Sequence, residues 1–266
     1  DRVQDIGNDR LNGPGLADMK GGLVVMTEAL KAFEASPESS NLGYRIVISP
    51  DEEIGNPVSA PIIAETAAGA DIGMTYEPAM ETGEFAGERK GSGNFSLIIH
   101  GISAHAGRSH ADGRSAVLAA AKFVVALEAL NGKREGVTFN TGKIDGGGPN
   151  NQVPDNAVIR FNVRIPDADA MNWAQNEIDG LVRMVSGMDG ISAHLHGGFY
   201  RPPKPFNAAQ QALFHDVRET GKALNLDLTW VSTGGVCEGN NVFAAGVPNI
   251  DTLGVRGGRI HSREEF

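Results

Sequence analysis

Apolar positions in the first third of the chain alternate between a helical and a strand spacing. After Asp18, the residues Leu23, Met26, Leu30 and Phe33 recur at i, i+3, i+7 and i+10, which marks one face of a helix. Ser36-Pro37 closes it, because the residue before a proline avoids the helical region. Tyr44-Arg45-Ile46-Val47-Ile48 reads as a buried strand ended by Ser49-Pro50. Residues 58–67 read as a helix, and Ile72-Gly73-Met74-Thr75-Tyr76 as a second strand ended by Glu77-Pro78. Strand, helix, strand over so short a span predicts a βαβ unit with a parallel sheet. Ligands of such sheets sit at the carboxyl ends of the strands. Here those ends carry Asp51-Glu52-Glu53 and Glu77.

The pattern then changes. Phe95 to His100 is a strand, 113–130 an Ala- and Val-rich helix, and Val137 to Ile144 and Ala157 to Ile165 are strands. A second helix sets Met171, Ala174, Ile178, Leu181 and Val185 on one face, and Ile191 to His196 is a last strand. That order, β-α-β-β-α-β, is the ferredoxin-like split pattern. Arg201-Pro202-Pro203-Lys204-Pro205 reads as a stiff exit linker. A helix over about 207–224, a strand from Leu226 to Val231 and a Gly-rich loop follow. The expected architecture is α/β: a domain formed by 1–89 and 201–266, interrupted by an inserted ferredoxin-like domain at 90–200.

Composition narrows the function. The 266 residues include 35 Gly with no three-residue period, which excludes collagen and simple linkers and points to many tight turns. A net charge of −10 argues against a nucleic-acid partner. No apolar run is long enough to span a membrane, and the expected compartment is the cytoplasm, with the periplasm as the alternative. The single Cys237 excludes an internal disulfide framework and a Cys-based zinc site. With no His or basic partner nearby in sequence, it reads as a passive thiol.

The candidate chemistry lies in strand-end acids and one late histidine. Asp18 follows a Gly13-Pro14-Gly15 turn at a helix start, where the dipole favours a carboxylate, and alone it reads more simply as a cap. Glu52 and Glu53 repel each other unless a cation neutralises one and the other serves as a base. Glu77 occupies the same kind of position, and His261 lies in Gly257-Gly258-Arg259-Ile260-His261-Ser262. Together these oxygen and imidazole donors suit Zn²⁺ or a similar ion. His194 and His196 alternate on a strand and read as surface or interface positions rather than ligands, His100, His110 and His215 have no evident partner in sequence, and Asp167-Ala168-Asp169 lacks the Gly and Glu of a calcium loop.

Eight motifs in order, GPGLADMKGG, SPDEEIG, TYEP, GISAHAG, NNQVPDNA, FNVR, TGGVCEGN and GGRIHS, span nearly the whole chain. In them the chain resembles the aminoacylase, acetylornithine deacetylase and glutamate carboxypeptidase family of dinuclear zinc amidohydrolases and exopeptidases. The resemblance implies two Zn²⁺ per complete site, with Co²⁺ or Mn²⁺ as alternatives. Asp18 would bridge them, Glu53 and His261 would complete one, and Glu77 would bind the other. Glu52 would be the general base that carries a proton from water to the leaving amine. His105 would reach across a homodimer formed through the inserted domain and stabilise the oxyanion of the partner's site. Asn151 and Arg164 would hold the carboxylate of a small peptide or N-acyl amino acid, assisted by the backbone around Gly234 and Gly235. The implied reaction releases a C-terminal amino acid. The family pattern also places a His-x-Asp motif before GPGLADMKGG and a helix after GGRIHS, so the chain reads as truncated at both ends, with weak or partial metal occupancy expected. Cys237-Glu238 replaces the family's usual small hydroxyl residue and Asp. Two readings of other classes stand beside the hydrolase: a non-catalytic dimerising module, and a small-molecule binding protein.

Overall fold

A computed structural model describes residues 2–266. The chain divides into two compact units, Asp1–Arg89 with Lys204–Phe266, and Lys90–Pro203.

The Lys90–Pro203 unit is built on one four-stranded antiparallel sheet, in the order Ser192–Arg201, Gly91–His100, Asn156–Ile165, Thr138–Gly146. Helices Ala116–Glu128 and Ala168–Ser186 cover one face. Alternation along the strands sends Leu97, Ile99, Ile159, Val163 and Ile165 to that face, where they bury against Phe123, Leu127 and Ile178. Phe95 stacks on Phe161 with ring centroids 5.1 Å apart. Ser115 and Asp167 cap the two helices by accepting the N–H of Leu118 at 3.1 Å and of Ala170 at 2.7 Å. Asp167 is therefore a helix cap. The sheet order and the β-α-β-β-α-β sequence give the ferredoxin-like arrangement.

In the other unit, Gly73–Met74 runs parallel to Asn249–Ile250, and Phe85–Arg89 runs parallel to Trp230–Thr233. A short hairpin, Gln4–Gly7 with Arg10–Asn12, opens the chain. Helix Gly21–Glu34 follows the Asp18 turn, and helix Ala208–Ala223 is capped by Asn207. Phe206, Phe214 and Trp230 cluster with centroids 5.2–5.4 Å apart.

Three sequence expectations are corrected. Residues 44–48 are extended but pair with no strand among the described residues, and Ile48 is 68% exposed rather than buried. Without a ladder partner, an apolar run of strand formers gives an extended segment and not a strand. The predicted strand at Leu226–Val231 begins only at Trp230. The Arg-Pro-Pro-Lys-Pro segment is not an exposed linker, because Lys204 has no solvent exposure at all. Its Nζ donates to Asp251 Oδ2 at 2.5 Å, while Arg89 Nε and Nη2 each reach the same carboxylate at 2.8 Å. Backbone hydrogen bonds between Arg89 and Lys204, 2.9 Å in each direction, lock the two cations side by side.

No helix among the described residues is long and apolar enough to cross a membrane.

Candidate metal centre and its surroundings

Three loops converge around Asp18. The turn at Leu16–Lys20 projects its carboxylate just ahead of the helix. Gly22 lets that helix approach the strand end at Tyr76: a Cβ there would lie 2.0 Å from the Tyr76 carbonyl oxygen. Gly257 does the same for the loop that carries His261, since its Cβ would lie 2.3 Å from that of Ala17. Any side chain at either position would push the loops apart.

His261 Nε2 then lies 3.2 Å from Asp18 Oδ2 and 3.3 Å from Glu53 Oε2. One ligand atom from each of the three falls within 4.8 Å of the others. Two carboxylates and an imidazole are the donors a borderline cation such as Zn²⁺ accepts. The electrostatics agree, because burial and the neighbouring Glu53 carboxylate raise the Asp18 pKa despite the opposing effect of His261.

Glu53 and its neighbour Glu52 sit on the one-turn helix Glu52–Ile54. Asp51 anchors that turn and is no ligand. Its carboxylate accepts the Ser59 hydroxyl and the N–H groups of Val58, at 2.9 Å, and Ser59, at 3.1 Å. The Ser59 hydroxyl first, then these N–H groups and Asn56, hold its pKa down at about 2. Glu77 lies outside the three-residue group. Burial, with the Glu52 and Asp18 charges, pushes its pKa up to about 8. Gly234 and Gly235 are exposed after the strand Trp230–Thr233, and the Gly235 N–H donates to Thr233 Oγ1 at 3.2 Å. Cys237 is buried, accepts the Gly239 N–H at 3.3 Å, and has its pKa pushed far up by burial, as suits a passive thiol.

One residue of this neighbourhood has no signal in the sequence. Glu265 is buried, and its carboxylate accepts the N–H groups of Ala17 at 2.9 Å, Asp18 at 3.0 Å and Gly15 at 3.2 Å. It closes the Asp18 turn from behind. Glu265→Ala strips three donors of their acceptor and should cost on the order of 2–3 kcal/mol. Glu264→Ala, at an exposed ion pair with Arg259, should stay within about 0.5 kcal/mol. Urea midpoints of the two variants check the contrast.

The remaining candidates belong to the Lys90–Pro203 unit. His105 is exposed, and its Nδ1 accepts the Gly107 N–H at 3.1 Å, which leaves the ring proton on Nε2 as an outward donor. Asn151 stays beside it, its carbonyl accepting the Ala106 N–H at 2.8 Å. Arg164 is elsewhere. It pairs with Ser92 at one end of the sheet, whereas Asn156 pairs with His100 at the other. Eight strand steps separate Asn156 from Arg164, roughly 26 Å. Within one copy of this unit, Asn151 and Arg164 therefore lie at opposite ends of the sheet. Arg164 Nε donates to Asn162 Oδ1 at 2.9 Å, and its Nη1 is buried without a hydrogen-bond partner.

Residues 87–189 match the family model described as the peptidase dimerisation domain, which falls on this unit. Carboxypeptidase G2 from a Pseudomonas strain is 25% identical over 267 residues, covering 96% of this chain and 61% of that protein. Succinyl-diaminopimelate desuccinylase from Nitrosococcus oceani is 26% identical over 275 residues, covering 98% of this chain and 71% of that protein. Residues 87–189 thus carry an M20 peptidase dimerisation domain. Among solved structures, aminopeptidase PepT from Bacillus cereus shares the fold of this chain with a TM-score of 0.78. The likeness covers 99% of this chain and 70% of that one at 22% identity. The chain spans 61% of the length of the carboxypeptidase G2 relative.

Proposed function

We propose that this chain carries the metal centre of an amide- or peptide-bond hydrolase that releases a C-terminal amino acid. The observation that carries the reading is the convergence of Asp18, Glu53 and His261 on one point from three separate loops. Those three residues would hold a divalent cation, Zn²⁺ first, with Glu77 and Asp18 serving a second ion. The cation supplies Lewis acidity toward a carbonyl oxygen and toward water.

The protein's own groups account for the rest. Glu52, partly buried beside Glu53, is the proton carrier: its carboxylate accepts a proton from the attacking water and delivers it to the leaving amine. His105 offers Nε2–H as a donor to the oxygen on which negative charge develops. The guanidinium of Arg164, with a buried Nη1 that lacks a partner, suits the free carboxylate of a peptide or N-acyl amino acid. The backbone of Gly234 and Gly235 would assist in holding the same group. Since Asn151 and His105 lie at the sheet end remote from Arg164, both would come from the second copy of a homodimer.

Titration of the metal-free chain with Co²⁺ tests the centre through the visible absorption of the bound ion. The wild-type chain and Glu52→Gln should bind alike, and only the variant should fail on a panel of N-acyl amino acids and peptides. Absence of Co²⁺ binding by the wild-type chain rejects the centre. Turnover by Glu52→Gln rejects the proton carrier alone.

A further inference from the structure

The face of the four-stranded sheet that carries no helix is ordered into chemical rows. Strand register places Asn94, Asn162 and Asn140 side by side in one row. The next row holds His196, Ser96, Arg160 and Lys143, and the one beyond it His194, Ile98, Val158 and Asp145. Asp145 is the one carboxylate in these rows, and it is paired with Lys143 at 2.9 Å. Neither Arg160 nor His196 has an ion pair or a side-chain hydrogen bond among the described residues.

Between the amide row and the basic row runs an open groove of about 360 Å³, lined by Asn94, Ser96, Asn140, Arg160, Asn162 and His196. That volume lies at the small end of ligand pockets. Its polar lining has donors and no ionised acceptor. Such a lining is unexpected in a chain of net charge −10, whose overall field disfavours anions.

We infer that this groove is a binding site for a small multicarboxylate anion. Arg160 presents a planar fork that takes one carboxylate through two parallel N–H bonds. Across the groove, on the far side of Ser96, His196 offers a ring N–H in either protonation state. The Asn94 and Asn140 amides border the same space and complete a set of donors spread wider than one carboxylate. Asn162 does not join them, because its amide nitrogen is committed to Ser92 Oγ, the Gly93 carbonyl and Asn94 Oδ1 at 2.8–3.0 Å. It fixes the floor of the groove. The inference does not rest on the hydrolase reading.

Citrate is the probe. The chain is freed of metal, then titrated with citrate and followed by calorimetry and by the imidazole resonances of His196. The expected result is a single saturable site that shifts the His196 signals. Arg160→Gln should weaken it at least tenfold, Lys122→Gln on an outer helix surface should leave it unchanged, and acetate should bind at least tenfold more weakly than citrate. Arg160 is exposed, so its replacement leaves the core intact. Non-saturable citrate binding overturns the inference, as does an equal effect of Arg160→Gln and Lys122→Gln.

Discussion

Asp251→Asn should destabilise the chain by about 3–5 kcal/mol, the range for removing one partner of a buried ion pair. The replacement keeps the volume and loses the charge. Arg89, 8% exposed, and Lys204, fully buried, would then share no counter-ion at hydrogen-bond distance. Burial alone would raise the Asp251 pKa, but Arg89 and Lys204 reverse the sign and hold it below the ordinary value. For an acid with a depressed folded pKa, the linked stability is present above the unfolded value near 4 and is lost as pH falls through the folded one. The gap between wild type and variant should therefore be full at neutral pH and close in acid. Asp145→Asn, at the exposed Lys143 pair, is the control and should change stability by at most about 1 kcal/mol. Adding Lys204→Met to Asp251→Asn should recover part of the loss, because it removes one stranded cation. Urea unfolding with unchanged m-values measures all three. A loss below about 1 kcal/mol in the single variant would show that the two cations find another anion.

The uneven legibility of the sequence has a physical origin. In the Lys90–Pro203 unit the strands run nine or ten residues, and the two central ones alternate over most of their length, so the pattern alone announces the layers. In the other unit the paired strands run two to five residues, and Gly73–Met74 finds its partner at Asn249–Ile250. Periodicity over two residues carries almost no information. That is also why residues 44–48 are misleading: an apolar run announces a face to bury and says nothing about which backbone pairs with it. Around the candidate site, the acids and the histidine that converge were visible as motifs. Supporting groups were not. Glu265 works by accepting backbone N–H groups nearly 250 positions earlier in the chain, an arrangement with no pattern in side-chain chemistry. Asp251 was hidden differently: its strand is only two residues long, so the acid after Ile250 did not register as a strand end.

Asp18→Asn should move stability in opposite directions with and without a cation. In the metal-free chain, burial and the Glu53 charge raise the Asp18 pKa. An acid with a raised folded pKa is an unfavourable charge in the native state, and its cost grows as pH rises above the unfolded value near 4. Removing that charge should raise the metal-free melting temperature at pH 7.5, on the scale of roughly 2–4 °C per kcal/mol for a chain of this size. The gain should shrink as pH falls toward the unfolded value near 4. Added Co²⁺ or Zn²⁺ reverses the order. A ligand that binds only the folded chain stabilises it by RT ln(1 + [L]/Kd), about 2.7 kcal/mol at a hundredfold excess over Kd. The substitution would leave Glu53 and His261 with a neutral amide in place of the shared carboxylate. Cation affinity should then fall at least about a hundredfold, which erases most of that increment. The two melting curves should therefore cross as the cation concentration is raised. Parallel curves, with the variant shifted by the same amount at every concentration, would place Asp18 in the fold and outside the cation site.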